Sequence, residues 1–466
     1  MTEHSPIIDQ TSLQAAFDAA IAQYEAGETE TALTQLRACL AVAPDQAAIW
    51  TYLGRGLRRQ KQLRASLAAY RRAVELAPTE TGILSDYSFA LCEAGEFAEA
   101  IKIRRNLLAQ DPGNLRRISL LAEALHCDRR QAEAAELLEK VEESHVLDAK
   151  IYVQRALARL VIGDWQRGLA DFEHRVGLKD FKTDDQIRWT RWEGQDLQGK
   201  TIVILNEQGY GDGIFSARFL PALKARGAIV IMVAPAPLLR LYEGLDCVDV
   251  VRRKVDQHDQ FDFYTYPMSI PHRLGFDGTD FPPPARFRIP QACRAKARSQ
   301  LASYRSRFKI GMVWTGSTAN PMNPARATTP QDFLPLAELP GVQMVSLYKG
   351  DRIGDLEDSG CAGLIVDACS KDADFADTAA VIEAMDLVVT TDTAVAHLAA
   401  SLNKPVWLLL SRQGFWYYGY GDVTPWYPSM RLYHQEVQGD WGPVFDRVLR
   451  GLRGDLRARM DQGAPE

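Results

Sequence analysis

The sequence predicts a multidomain protein, an all-α repeat superhelix followed by two doubly wound α/β halves, and three observations carry that prediction. Pro44, Pro78 and Pro112 stand 34 residues apart, each closing a helical pattern. From Thr201 onward, short apolar strand runs alternate with amphipathic helices, the signature of a parallel sheet covered on both faces. Pro282-Pro283-Pro284 divides that alternation into two series. The expected domains are 1–182, 190–300 and 305–466, and 466 residues leave room for a separate core in each.

Within the first domain the period extends beyond the prolines. Glu25-Ala26-Gly27-Glu28 returns as Glu93-Ala94-Gly95-Glu96, Lys61 and Arg129 occupy the same slot between and after them, and Gly163 continues the series. Small residues recur where paired helices must approach closely, at Ala32, Ser66, Ala100, Ala134 and Gly168. Large side chains follow four positions later, at Leu36, Tyr70, Leu138 and Phe172, with Arg104 the exception. This phase resembles the tetratricopeptide repeat, with about five units between residues 13 and 180. A single hairpin cannot bury its apolar face alone, so neighbours stack into a superhelix whose concave groove implies a bound protein partner.

The second domain opens with a strand over 201–205, a glycine-rich turn and a helix over 214–226. Strands over 229–233 and 248–251 follow, with a short helix over 237–242 between them. In the third domain strands are expected over 309–314, 342–347, 364–366, 387–390 and 406–410. Helices near 331–339, 377–385 and 393–402 separate them, and a helix over 442–457 closes the chain. Two such halves in tandem imply a cleft, with ligands at the carboxyl ends of the strands.

Three segments are candidates for chemistry. Gln208-Gly209-Tyr210-Gly211-Asp212-Gly213 joins a strand to a helix, and its glycines Gly209, Gly211 and Gly213 permit positive φ and close approach to a ligand. Asp212 reads two ways, as a general base for an attacking hydroxyl or as a helix cap. Thr390-Thr391-Asp392-Thr393-Ala394-Val395-Ala396-His397 runs from a buried strand into a helix whose first-turn N–H groups form an anion site. Thr393 and His397, four apart, can share a helix face toward a diphosphate, and His397 alone equally fits a buried, hydrogen-bonded core histidine. Val313-Trp314-Thr315-Gly316-Ser317, followed by Arg326, is the third. Arg326 can clamp phosphate oxygens or be a solvated charge, and Lys349 carries the same two readings. Asp372-Ala373-Asp374 reads as solvated surface, and no metal is expected.

These segments together resemble a GT-B glycosyltransferase of the heptosyltransferase-like kind, glycosyltransferase family 9, fused to tetratricopeptide repeats. The likeness rests on 207–212, Phe215-Ser216-Ala217-Arg218-Phe219-Leu220, 313–316 with Arg326, Asp377-Thr378-Ala379-Ala380, 392–399 and Lys404-Pro405-Val406-Trp407, in family order. It implies two Rossmann-like domains, acceptor on the first and nucleotide-diphosphate sugar on the second, with inverting, metal-independent transfer and no cofactor. It assigns Asp212 as base, Gly209, Gly211 and Gly213 to the acceptor-side loop, and Thr315, Ser317, Arg326, Lys349, Asp392, Thr393, Ala394 and His397 to the donor. Ala394 and Tyr210 depart from the family pattern, which has glycine and a small or aliphatic residue there. The alternative is a non-catalytic tetratricopeptide scaffold with a degenerate GT-B domain.

Composition narrows the function classes. A formal net charge of −6 argues against nucleic acid as a partner. Seven scattered cysteines without a Cys-x-x-Cys pair suit a reducing compartment. Residues 1–10 lack a secretory layout, and the longest apolar stretch, 228–239, is broken by Pro235 and Pro237. A cytoplasmic protein without a transmembrane segment is expected, its groove holding a protein partner or the acceptor itself.

Overall fold

The computed structural model describes residues 12–142, 148–181, 187–207, 209–256, 258–320, 322–413 and 415–463. The expectations for residues 1–10 and for Gln208 lie outside them. The chain forms two compact units, 1–147 and 148–466.

The regular structure among the described residues of the first unit is all helical. Its described elements are α1 (Leu13–Glu25), α2 (Thr29–Val42), α3 (Ala47–Arg59), α4 (Leu63–Leu76), α5 (Thr81–Glu93), α6 (Phe97–Gln110), α7 (Leu115–Cys127) and α8 (Gln131–Glu142), paired as successive hairpins. The repeating small residues Ala32, Ser66, Ala100 and Ala134 are all buried, as the close helix contacts require. The repeating large ones fill the core, and Arg104 is buried with them at 3% exposure. The turn slot keeps its conformation whatever residue fills it. Gly27, Lys61, Gly95, Arg129 and Gly163 have φ of 89°, 61°, 81°, 61° and 84°, all left-handed.

The fifth hairpin, α9 (Ala149–Val161) and α10 (Trp165–Phe172), belongs to the second unit rather than to the array, so the division falls at 147/148 where the sequence suggested 182. The physical reason is burial. Leu160, Leu169 and Phe172 share one core with the α/β residues, and the Trp165 ring meets Phe276, Phe281, Trp416 and Trp426 edge-on.

The first α/β half contains β1 (Thr190–Arg191), β2 (Thr201–Ile204), α11 (Tyr210–Ser216), α12 (Leu220–Ala225), β3 (Ile229–Val233), α13 (Leu239–Tyr242), β4 (Val250–Arg252), β5 (Phe263–Thr265) and α14 (Ile270–Arg273). The strands are parallel, in the order β1-β5-β2-β3-β4. β1 and β5 lack the long apolar run that announces a strand. The helix expected over 214–226 instead starts at Tyr210 and breaks at a 3-10 turn, Ala217–Phe219, before α12 with Pro221 in its first turn.

α15 (Gln291–Gln300) leads to the second half. There β6 (Phe308–Val313), α16 (Asn323–Arg326), α17 (Leu334–Ala337), β7 (Val342–Ser346), α18 (Asp355–Asp358), β8 (Ile365–Asp367), α19 (Phe375–Glu383), β9 (Leu387–Thr391), α20 (Ala394–Ser401), β10 (Val406–Leu410), β11 (Met430–His434) and α21 (Gly442–Gly463) follow. The sheet is parallel, β8-β7-β6-β9-β10-β11, the doubly wound order in which the chain direction reverses between β6 and β9. Within the first sheet the equivalent reversal lies between β2 and β5. No helix among the described residues is long and apolar enough to cross a membrane.

Candidate functional site

A cavity of about 770 Å³ opens at the carboxyl ends of β2, β6 and β9, between the two α/β halves. It is lined by Gly209, Gly211, Asp212, Thr315, Ser317, Arg326, Lys349, Asp392, Thr393, Ala394 and His397, so eleven of the twelve residues singled out in the sequence converge on it. Gly213 is not among them, because it is buried against Tyr242, whose hydroxyl lies 2.6 Å from where a Cβ would stand. The positive φ expected of these glycines is not used. None of the three adopts positive φ. Gly211 instead admits a close crossing of helices, since a Cβ there would sit 3.0 Å from His397 Cδ2 and 3.5 Å from Ala394 Cα.

Glu207 fixes the start of the acceptor-side turn. It is 4% exposed and takes two hydrogen bonds from Arg175, Nε to Oε2 at 2.9 Å and Nη2 to Oε1 at 3.0 Å. The Met268 amide, from across the β2/β5 reversal, adds a third at 2.6 Å. Asp212 then occupies the first turn of α11. Its Oδ2 accepts from the Gly209 amide at 3.0 Å, the capping reading, while Oδ1 accepts from Tyr417 Oη at 2.7 Å. Each carboxylate oxygen has a second lone pair, so capping does not exhaust Asp212 as an acceptor. Burial raises its pKa, the nearby Asp392 and Glu207 charges add to that, and the Tyr417 and Gly209 bonds oppose it.

On the opposite wall, Thr393 stands at the N-cap position of α20 in an extended conformation, without a side-chain capping bond, and Ala394 begins the helix, so the N-terminal end of α20 lines the cavity. Asp392 Oδ2 accepts from Arg326 Nη1 at 3.3 Å and Oδ1 from Tyr418 Oη at 3.2 Å. Burial raises the Asp392 pKa and Arg326 opposes it. Arg326 is half-buried against this carboxylate rather than solvated. Thr315 is buried and held by Asn323, whose Nδ2 donates to Oγ1 at 2.9 Å while its Oδ1 accepts from the Gly316 amide at 2.8 Å. Ser317 Oγ accepts from the Ala319 amide at 3.3 Å. Lys349 Nζ donates to the Asp372 carbonyl and to the Ala373 carbonyl at 3.3 Å.

His397 is buried with both ring nitrogens engaged, Nδ1 with Tyr427 Oη and Nε2 with Tyr418 Oη, each at 3.0 Å. Because Tyr418 Oη donates to Asp392, it accepts from His397, which assigns the proton to Nε2 and leaves Nδ1 to accept from Tyr427. Burial, with the Arg218 charge behind it, lowers the His397 pKa to about 3 and keeps the ring neutral. This is the satisfied core histidine of the sequence alternatives, although one edge lines the cavity.

Reading Asp372-Ala373-Asp374 as solvated surface is corrected. Asp372 is 3% exposed and accepts from Lys296 Nζ at 2.9 Å and Thr378 Oγ1 at 3.0 Å. Asp374 caps α19 through the Ala376 amide at 2.9 Å and pairs with both Arg240 Nε and Nη2. Arg240 also reaches Asp377 at 2.9 Å, so these acids tie the two halves together beside the cavity. Tyr417, Tyr418 and Tyr427 escaped the sequence reading. Their signal was present in the aromatic density of Phe415-Trp416-Tyr417-Tyr418, between β10 and β11. Among the described residues no group of three or more His, Cys, Asp or Glu side chains is placed to hold a metal ion.

Two family models match the chain. Residues 10–150 match the cytochrome c-type biogenesis protein H tetratricopeptide domain, and residues 358–409 match glycosyltransferase family 9 (heptosyltransferase). The chain joins a tetratricopeptide-type array to a glycosyltransferase family 9-like module. The matched segment of the family 9-like module runs from the end of α18 into β10 and holds Asp392, Thr393, Ala394 and His397, while Asp212 and Arg326 lie outside it. Protein FlbA of Caulobacter vibrioides is 26% identical over 477 residues, spanning 97% of this chain and 74% of that protein. Among solved structures, the glycosyl transferase family 9 from Veillonella parvula is 14% identical, with a TM-score of 0.41 over 52% of this chain and 88% of its own. MamA from Desulfovibrio magneticus is 14% identical, with a TM-score of 0.33 over 35% of this chain and 92% of its own.

Proposed function

We propose that the family 9-like module transfers a sugar from a nucleotide-diphosphate sugar to a hydroxyl acceptor, with inversion and without a metal or other cofactor, and that the array recruits a protein partner or the acceptor. One observation carries the reading. A carboxylate on the first half, Asp212, and a cation with a helix N-terminus on the second, Arg326 and α20, face the same cavity.

In this reading the acceptor hydroxyl attacks the sugar's anomeric carbon and passes its proton to Asp212. The bond from that carbon to the diphosphate oxygen breaks, and the nucleoside diphosphate leaves with the electron pair. Attack opposite the leaving group inverts the anomeric centre. Arg326 and the first-turn amides of α20 hold the developing charge, a task fixed dipoles and cations perform without reorganising. Thr393 and the Thr315–Asn323 pair shape the same wall.

Asp212→Asn keeps the side chain's shape and an acceptor for the Gly209 amide, turns the other position into a donor toward Tyr417 Oη, and removes the base. It should lower turnover by about 10²–10⁴-fold without weakening nucleoside diphosphate binding, since the charge it removes repels the diphosphate. Full activity in that variant rules Asp212 out as base. A non-catalytic scaffold is the second reading, favoured by the commitment of Lys349 Nζ to backbone carbonyls and of both His397 nitrogens to tyrosines. Absence of turnover in wild type with every nucleotide sugar offered, despite binding, would support it.

A further inference from the structure

The array contains a second cavity, of about 430 Å³, between α3, α5, α6 and α7. Its charge is unbalanced. Arg55, Arg104, Arg116 and Arg117 line it against one carboxylate, Asp86, and Asp86 is already engaged by Arg55 Nε at 2.7 Å.

Arg104 stands out among the four. It sits at the core position where the repeat elsewhere places Leu, Tyr or Phe, and it is 3% exposed. Its partners are neutral, Nε donating to Ser88 Oγ at 3.2 Å and Nη1 to the Leu120 carbonyl. Arg117 Nη1 donates to the Leu107 carbonyl in the last turn of α6, and Arg116 is exposed. No carboxylate among the described residues pairs with Arg104, Arg116 or Arg117. A guanidinium held as deep as that of Arg104 without a counter-ion is costly, and with the half-buried Arg117 and the exposed Arg116 it gathers three unpaired positive charges around one concavity in a chain of net charge −6. Asn114 and Ser85 add neutral hydrogen-bonding groups at the rim.

We propose that this cavity is where the array grips an acidic, extended peptide segment of a partner protein, the peptide's carboxylates pairing with Arg104, Arg116 and Arg117. Guanidinium forks match carboxylates two bonds at a time, which gives both strength and register. The chain's overall negative charge disfavours a long polyanion such as a nucleic acid, whereas a few carboxylates answer a local cluster. The proposal deepens the reading of the array as a recruiting arm and rests on it.

The test is fluorescence anisotropy of the full chain against short unstructured peptides of Glu and Ser, the same peptides with Gln for Glu, and with Lys for Glu. The Glu peptide should bind about tenfold or more tightly than the Gln peptide and weaken as salt rises. Arg104→Met should lose that preference, and because this buried change risks the fold, Arg116→Glu on the exposed rim provides the second variant and should cost about tenfold. Arg64→Glu, exposed on α4 away from the cavity, should change affinity less than about twofold. Equal binding of the Glu and Gln peptides, or undiminished binding by Arg116→Glu, overturns the proposal and leaves protein recruitment standing. Failure of all three peptides to bind, or tighter binding of a single-stranded oligonucleotide, overturns both.

Discussion

Tyr417 and Asp212 come from elements 205 positions apart, yet their hydrogen bond at 2.7 Å controls the group on which the proposed chemistry turns. Burial of Asp212 disfavours its charge, so its pKa lies above the ordinary carboxylate range. A base must be ionised to act, so the rate should fall as pH drops through that raised pKa. Tyr417 donates to the ionised form and opposes the shift. Burial and the Asp212 charge push the Tyr417 pKa well up, so it remains a donor. Tyr417→Phe removes this donor, and the acid limb of the pH–rate profile should move to higher pH, with the plateau falling about tenfold or less. A limb that stays in place would separate Tyr417 from the base.

The helices show which features of the repeat are chemistry-blind and which are not. The left-handed turn slot accepts Lys61 at φ 61° as well as glycine, at a steric cost that the hairpin's packing offsets. Lys61→Gly should therefore raise array stability by about 0.5–1 kcal/mol, the relief exceeding the added freedom of the unfolded chain, and chemical denaturation measures it. The crossing of α11 over α20 is less forgiving. Gly211→Ala places a methyl 3.0 Å from His397 Cδ2, and two tyrosine hydrogen bonds hold that ring so it cannot swing aside. The expected cost is about 1–3 kcal/mol with a loss of turnover, read by thermal denaturation and an activity assay. Unchanged stability and rate would mean that the crossing relaxes freely. The proline period and the recurring small residues made the array legible, because each repeats a local steric demand. The short strands β1 and β5 stayed hidden, since pairing partners rather than their own apolar pattern define them.

Across the second unit, contacts distant in sequence assemble the cavity. Arg240 meets Asp374 and Asp377, Lys296 meets Asp372 and Asp377, and Arg218 donates to the Trp426 carbonyl at 2.8 Å. Eleven of the residues singled out line this cavity because most of them follow the carboxyl end of a strand, where a local motif announces the turn into a helix, while Arg326 reaches it from α16. The roles of the acids of 372–374 and of the tyrosines after β10 were not legible, because they depend on partners that no local pattern specifies. The site's electrostatics also bear on its ligand. Asp212 and Asp392 would repel a diphosphate, so binding depends on Arg326 and the α20 amides outweighing them. Calorimetric titration of the full chain with a panel of nucleoside diphosphates and nucleotide sugars tests that balance directly. At least one should bind with micromolar affinity, weakened about tenfold or more by Arg326→Ala. No binding by any member of the panel would contradict the assignment of this cavity to a nucleotide-sugar donor.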